Sequence, residues 1–484
     1  MSSIVEDFES CYRASDSRDP RYDGIFFVAA TSTKLYCRPS CPARQPKRAN
    51  VRFYPTAAAA QSAGFRACKR CRPDATPGSP DWNWRADSVA RAMRLIADGT
   101  VDREGVPGLA ERLGFSERHL RRLLAEQVGA TPVALARAQR ANTARLLIES
   151  TAMTFADAAF AAGFHSVRQF NDTVKHVFAS TPREMRRRSI GGSPRPLGVV
   201  ELRLSCREPF DGTALLRFLE VRAVPGLEEV SGGTYRRSLT LTHGTGLVEL
   251  TPEMRAVRCV LHLDDLRDLA AAVARCRRLL DLDADPLAIA EALGRDAVIG
   301  HLVRARPGLR VPGCLDGAEL ALRALLGQQV SLRSARTQTA RLVETFGTRL
   351  KQPLGTVTHL FPAAAVLADA DPRTLAGLAL RTDALQALAT RLTEGEVRID
   401  AGSDPTEALS GLLAIRGIGP WTAGYVAMRG FHDPDAFPDG DAGLRRALKA
   451  LGRPDDPSSV AVMQQRWRPW RAYAALQLWT SLEH

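Results

Sequence analysis

No stretch of this 484-residue chain approaches the ~20 apolar residues needed to cross a bilayer, so no membrane partner is expected. Nor does the opening MSSIVEDFES set an apolar core behind a basic start, which leaves the cytoplasm as the expected compartment. Repeat arrays are lacking, and low complexity is limited to short alanine runs. Acid is in deficit: 53 Asp+Glu stand against 66 Lys+Arg, a formal +13 with a pI near 9.7. That balance points to a polyanionic partner, with a merely solvated basic surface as the alternative. Nine cysteines in so long a chain, an odd number, argue against a secreted disulfide scaffold and for reduced thiols.

What is present exceeds one core, and about three or four domains are expected from the length. Two breaker-rich stretches, RPDATPGSPD (Arg72 to Asp81) and SIGGSPRPLG (Ser189 to Gly198), read as linkers. The expected architecture is multidomain α+β, in blocks 1–78, 83–189, 197–285 and 286–484. The first has short apolar runs (GIFFVAA, NVRFYP) and reads as a small mixed unit with short strands. In the second, Val89, Met93 and Ile96 mark one helical stripe and Leu120, Leu123, Leu124 and Val128 another. The third begins with alternating segments (GVVELRLSC, RRSLTLTHGTGLVELT, RAVRCVLHL) that predict an antiparallel sheet with helices on one face. Ala/Leu/Arg-rich helical text follows from about Leu263.

Cys37 and Cys41, then Cys68 and Cys71, are spaced C-x3-C, 26 residues, C-x2-C. Two close pairs across a loop suit four thiolates on one tetrahedral Zn²⁺; buried unligated thiols or disulfides are the alternatives. Cys11, Cys206, Cys259, Cys276 and Cys314 are scattered and read as small buried side chains. The run FFVAATSTKLYCRPSCPARQPKRANVRFY, with AGFRACKRCRPD, resembles the amino-terminal domain of Ada-type alkylation sensors, departing from it at Ala67, where proline is usual. The resemblance implies that Cys37 accepts a methyl group from a DNA methyl phosphotriester while bound to zinc. Zinc keeps sulfur in its nucleophilic thiolate form, and methylation removes one negative charge, which favours DNA binding. Arg38, Arg44, Lys47, Arg48, Lys69 and Arg70 surround the cluster as candidate phosphate contacts or solvated cations.

PGLAERLGFSERHLRRLLAEQVGATP and TFADAAFAAGFHSVRQFNDTVKHVFASTP share one plan: helix, Gly-Phe turn at Gly114 or Gly163, second helix, Thr-Pro. Together they resemble an AraC-type pair of helix-turn-helix units. That implies recognition helices carrying Arg118, His119, Arg121 and Arg122, then Arg168, Gln169 and Asn171. Solvated basic faces have the same look.

In LLAIRGIGPWTAGYVAMRGF, Gly417 and Gly419 flank Ile418 between apolar helical segments, a turn that can bring backbone N–H groups to a phosphate. Asp441 follows 22 residues after Gly419 in FPDGDAGLRRAL. With LLGQQVS, the combination resembles helix-hairpin-helix glycosylases of the AlkA type, which excise 3-methyladenine. The resemblance implies a catalytic Asp441, favoured over Asp433, Asp435 and Asp439, and a base pocket of Trp421, Tyr425 and Trp479. Gln328 and Gln329 would contact DNA, Gln329 standing where the family inserts a leucine wedge. Trp421 occupies the place of the Schiff-base lysine of strand-cutting members, so an abasic site is the implied product. No Pro-Cys-His-Arg run occurs, so no alkylguanine-acceptor domain is expected.

The combined expectation is a zinc methyl acceptor and transcriptional activator fused to a glycosylase, with double-stranded DNA and RNA polymerase as partners. Two alternatives stay open: a methyl-responsive regulator whose last block binds DNA without catalysis, or a glycosylase with a zinc-stabilised targeting arm.

Overall fold

The computed structural model describes residues 7–19, 22–43, 45–68, 70–71, 73, 88–188, 198–378 and 381–482. Apart from Pro73 and Gly198, the two expected linkers lie outside them, as do Arg44 and Lys69.

The first block opens with helix α1 (Phe8–Asp16), started by the Asp7 side chain accepting from Ser10 N. Strands β1 (Phe27–Ala30), β2 (Leu35–Cys37), β3 (Val51–Tyr54) and β4 (Arg66–Ala67) form a sheet in the order β3-β1-β2-β4. β1 runs antiparallel to β2 and β3, while β4 lies parallel to β2 with Arg66 opposite Leu35. Helix α2 (Ala57–Ser62) begins with four alanines, and these small side chains let it pack against strands and helix at once. Thr56 caps it and reaches across to Val128 O at 3.1 Å, fastening this block to the next.

The second block is helical: α3 (Ser88–Ala97), α4 (Thr100–Leu113), α5 (Glu117–Val128), α6 (Pro132–Ser150), α7 (Phe155–Ala161), α8 (Val167–Phe178) and α9 (Pro182–Arg188). α4 is broken at Gly105, whose φ of 71° no helix contains. Both expected turns hold: Gly114 and Gly163 take φ of 70° and 82°, where a Cβ would be strained. The predicted stripe residues Val89, Ile96, Leu120, Leu124 and Val128 are buried. In each Thr-Pro, the threonine caps the following helix and the proline takes its first position.

The third block forms an all-antiparallel sheet, β5-β9-β8-β7-β6, from β5 (Val199–Ser205), β6 (Glu228–Ser231), β7 (Thr234–Thr240), β8 (Thr245–Pro252) and β9 (Ala256–Leu263). Helix α10 (Gly212–Glu220) precedes β6. Val257, Cys259, Leu261 and Leu263 bury alternate positions of β9, the period that marked the strand in the sequence.

Helices α11 (Leu269–Leu279), α12 (Pro286–Leu293), α13 (Gly300–Ala305), α14 (Gly317–Leu326) and α15 (Leu332–Phe346) follow. A ribbon of β10 (Arg349–Leu354) and β11 (Val357–His359), turning at Gly355, interrupts text read as wholly helical. After α16 (Ala364–Ala368), α17 (Pro372–Leu378) and α18 (Thr382–Glu394) come the two helices of the hairpin, α19 (Pro405–Leu413) and α20 (Pro420–Gly430). α21 (Ala442–Ala450), α22 (Pro457–Gln464) and α23 (Arg471–Thr480) close the chain. Among the described residues no helix is long and apolar enough to cross a membrane.

The blocks are packed rather than strung out. One apolar cluster runs from Tyr36 and Phe65 through Phe164 and Phe170 to Val200, Leu250 and Trp467. α3 also grips the loop ahead of α19: Arg91 Nε donates to Gly402 O and Arg94 Nε to Ala401 O, each at 2.8 Å.

Candidate metal centre and base pocket

Two sites emerge, and the smaller is the cysteine quartet. Cys37 ends β2, Cys41 sits in the turn that follows, Cys68 comes just after β4, and Cys71 lies three residues on. The parallel pairing of β4 with β2 brings the two halves together, with Cys68 N donating to Tyr36 O at 2.9 Å. Asp23 holds the connecting turn by accepting from Ser40 N and Ser40 Oγ, while Arg207 of the third block donates to Asp23 O. All four Sγ atoms lie within 4.8 Å of one another. A tetrahedral Zn–S bond of ~2.3 Å requires sulfurs about 3.8 Å apart, so the quartet fits Zn²⁺.

Hydrogen bonding among the crowded sulfurs, from Cys37 first, draws the Cys68 thiol far below its ordinary value, while contact with Cys41 pushes Cys37 up. Cys41, Cys68 and Cys71 are buried, whereas Cys37 keeps an intermediate exposure. Of the cations around the cluster, Arg38 leans on Asp23 at 3.5 Å. Lys47 is exposed, and Arg48 pairs with Glu9 and lies over Phe8 and Tyr12.

On the helix-turn-helix pair, Ser116 caps α5 and Ser166 caps α8. Arg118, Arg121, Arg122, Arg168, Gln169 and Asn171 are exposed. His119 is half-buried with its ring 4.8 Å from Phe115. Arg121 and Arg122 lie near Glu117 and Glu126 of their own helix at 3.1 and 4.0 Å, contacts that water and salt weaken.

The larger site is a cavity of about 1620 Å³ between α14, α20 and the start of α21. Asp441 stands on its edge as the cap of α21, accepting from Leu444 N at 2.8 Å. Trp421 Nε1 donates to its Oδ2 at 2.8 Å, and Trp479 Nε1 to its Oδ1 at 2.9 Å. Three N–H donors thus fix one carboxylate in a single orientation. Tyr425 stacks on Trp421, with centroids 5.4 Å apart and planes 14° from parallel, and meets Trp479 at 6.4 Å and 58°. The resemblance implied one site for these four residues, and the structure brings them together.

The neighbouring acids are otherwise engaged. Asp435 takes both arms of Arg471, Asp433 accepts from Asp435 N, and Asp439 accepts from Gln464 Nε2 at 2.8 Å. In the hairpin turn, Gly417 has φ 97° and Ile418 is buried. A Cβ on Gly419 would meet nothing within 4 Å, so that side of the backbone is open to a ligand. Gln328 Nε2 donates to Thr422 Oγ1 at 2.5 Å, which anchors the α14–α15 turn to α20. Gln329 caps the same turn in the left-handed region, φ 58°, exposed, accepting from Arg381 Nη2 at 2.6 Å.

Two residues at this site were not picked out in the sequence. Arg429 donates to Tyr425 Oη at 2.6 Å; its place on α20, four residues beyond Tyr425 and eight beyond Trp421, is the helical-face signal that could have found it. Gly443 lies where a Cβ would stand 2.9 Å from Asp441 Oδ1 and 3.2 Å from Trp479 Cδ1.

Four family descriptions match the chain: "Metal binding domain of Ada" over residues 10–74, "Helix-turn-helix domain" over 109–188, "AlkA N-terminal domain" over 201–316 and "HhH-GPD superfamily base excision DNA repair protein" over 322–472. The chain is 55% identical over 482 residues to a Mycobacterium tuberculosis protein described as a probable bifunctional transcriptional activator/DNA repair enzyme AlkA, covering 99% of this chain and 97% of that one. It is 36% identical over 283 residues to the Escherichia coli DNA-3-methyladenine glycosylase 2, covering 57% of this chain and 95% of the relative. The solved 3-methyladenine DNA-glycosylase from Archaeoglobus fulgidus shares the fold at a TM-score of 0.50 and 20% identity, over 57% of this chain and 97% of that one.

Proposed function

Since this chain belongs to the family of bifunctional transcriptional activators and DNA repair enzymes, we propose that block 1–78 accepts methyl groups on Cys37, 83–189 reads promoter DNA, and 197–285 with 286–484 excises alkylated purines such as 3-methyladenine. The reading is carried by Asp441, a carboxylate fixed by two indoles at the mouth of a cavity those same indoles line.

Excision breaks the bond between C1′ of the sugar and the base nitrogen, and both electrons leave with the base. Positive charge develops on the sugar, and a preorganised carboxylate beside it lowers the energy of that state. Water adds its oxygen to C1′ and its proton passes to Asp441. Trp421 offers no amine, so no imine forms and the sugar backbone is left uncut. Gly417 and Gly419 give a phosphate access to backbone N–H groups at the start of α20. Gln328 steadies the turn from which Gln329 enters the duplex while the target base is flipped out.

In the first block, Cys37 is the one residue of the quartet that is not fully buried, which favours it as the one that meets DNA. Zn²⁺ held by Cys37, Cys41, Cys68 and Cys71 would keep the sulfurs as thiolates. Cys37 Sγ forms a bond to the methyl carbon as the carbon–oxygen bond to the phosphotriester breaks. Its electron pair stays on the phosphate, and the sulfur ends as a thioether. One unit of negative charge is lost from the cluster, favouring DNA contact by Arg38, Arg44, Lys47 and Arg48. α5 and α8 then present Arg118, His119, Arg121 and Arg122, and Arg168, Gln169 and Asn171, to successive major grooves, with RNA polymerase as the activated partner in the cytoplasm.

Base release from methylated duplex DNA by wild type and Asp441→Asn tests the excision claim; equal rates would sink it. Intact mass after exposure to the same DNA tests the transfer: one added methyl, absent in Cys37→Ala, is the expected result.

A further inference from the structure

Arg429 is buried in α20, and each of its hydrogen bonds is a donation: Nε to Pro312 O at 2.7 Å, Nη2 to Gly313 O at 2.8 Å and Nη1 to Tyr425 Oη at 2.6 Å. Among the described residues no carboxylate lies within ion-pair distance of it. A guanidinium has no lone pair to offer, so Tyr425 Oη must accept at this contact. The phenol's own proton is left to point elsewhere, and among the described residues no protein acceptor takes it. Tyr425 lines the cavity, so an acceptor on a bound base is within its province.

Two buried tyrosines, Tyr235 and Tyr473, are arranged in the opposite sense. Tyr235 donates to Glu228 and Tyr473 to Asp281, each at 2.7 Å, and burial followed by the adjoining carboxylate pushes both phenols well up. Burial alone would push Tyr425 up as well, but the charge of Arg429, followed by that of Arg222, holds it below its ordinary value. A hydroxyl polarised in this way is a strong donor. The guanidinium also lies 5.4 Å from the Tyr425 ring, which weakens that ring's attraction for a second cation. Tyr425 is thus poorly placed to recognise a positively charged base by its face and well placed to hydrogen-bond an acceptor.

We propose that the Tyr425 hydroxyl, turned by Arg429, donates a hydrogen bond to the departing base and acts as a catalytic residue for bases that leave without a positive charge, with Arg429 as its positioning residue. This rests on the reading of Asp441 and the cavity as the excision site. When a cationic methylated base leaves, the electron pair from the broken C1′–N bond cancels its charge. When a neutral base leaves, the same pair makes it an anion until it takes a proton from water. A donor aimed at a base nitrogen or oxygen stabilises that developing negative charge, and it matters less to a cationic base.

The test is single-turnover base release from duplexes carrying either hypoxanthine, a neutral leaving base, or 7-methylguanine, a cationic one. Wild type is compared with Tyr425→Phe, Arg429→Met, Arg429→Lys and Asp441→Asn. A hydrogen bond to a developing charge is worth roughly ten- to hundredfold in rate. Tyr425→Phe is therefore expected to lower the ratio of hypoxanthine to 7-methylguanine release by about that factor. Arg429→Met should shift the ratio in the same direction and Arg429→Lys should recover part of it. Tyr425→Phe removes one atom and carries the test alone if Arg429→Met does not fold. An unchanged ratio in Tyr425→Phe, or no hypoxanthine release by wild type above the Asp441→Asn background, overturns the proposal. Wild-type release of 7-methylguanine by Asp441→Asn overturns instead the site reading beneath it.

Discussion

Trp479 donates its indole N–H to Oδ1 of Asp441 across 2.9 Å, joining the last helix to the first residue of α21's cap. With Trp421 on the other oxygen, the carboxylate has little freedom to turn. The indoles serve twice, as walls of the cavity and as supports for the acid. That double use ties the shape of the pocket to the direction of the charge.

Trp479→Phe keeps a ring in place and deletes the donor. Loss of a hydrogen bond to a charged group costs about 1.5–3 kcal/mol, so base release should fall roughly ten- to hundredfold while the protein stays folded. Single-turnover release beside a thermal melt separates this from a folding defect, and a wild-type rate would show that the indole N–H does no orienting.

Gly443→Ala should act on the same contact from the other side. Its new Cβ would stand 2.9 Å from Asp441 Oδ1, so that the carboxylate must shift, and a tight 3.2 Å from Trp479 Cδ1, although alanine otherwise suits a helix. The expected result is slower base release with an unchanged or raised melting temperature. A variant as fast as wild type would mean that carboxylate and indole move aside without consequence.

These contacts mark where the sequence stopped being legible. The cysteine quartet was readable because metal ligands come in close pairs, and Gly114 and Gly163 because a tight turn needs positive φ. Asp441 was readable only through its resemblance, since nothing in FPDGDAGLRRAL shows that Asp435 is taken by Arg471 and Asp439 by Gln464. The ribbon β10–β11 gave no period-two signal because most of β10 is exposed on both faces. The grip of α3 on the 401–402 loop joins residues about three hundred positions apart, beyond the reach of any local pattern.

His432 should make stability sensitive to acid. Its Nε2 is buried without a partner among the described residues, and burial, with Arg278, Arg94 and Arg429 nearby and only Asp283 opposing, lowers its pKa to about 3. The unfolded chain binds a proton near its ordinary value and the folded chain does not. The stability it contributes is therefore complete above about pH 6.5 and is lost as pH falls from there toward 3. Between pH 6.5 and pH 5 that amounts to about 2 kcal/mol. His432→Asn should lose less stability than wild type over this interval in denaturant titrations, and parallel curves would assign the sensitivity elsewhere.

Methylation of Cys37 should tighten DNA binding in a way that salt can erase. If the gain comes from removing one negative charge beside Arg38 and Lys47, it acts through solvent and is screened over about 10 Å at 0.1 M salt. Methylated and unmethylated protein, titrated against the same unmodified duplex by fluorescence anisotropy, should then differ clearly near 50 mM salt and converge near 200 mM. If methylation instead creates a packed contact, the difference persists as salt rises. Cys37→Ala carries no sulfur charge at that position and gains nothing from exposure to methylated DNA. Zinc content measured in each sample keeps the comparison on charge, because metal binding is coupled to folding and its loss would change more than one charge.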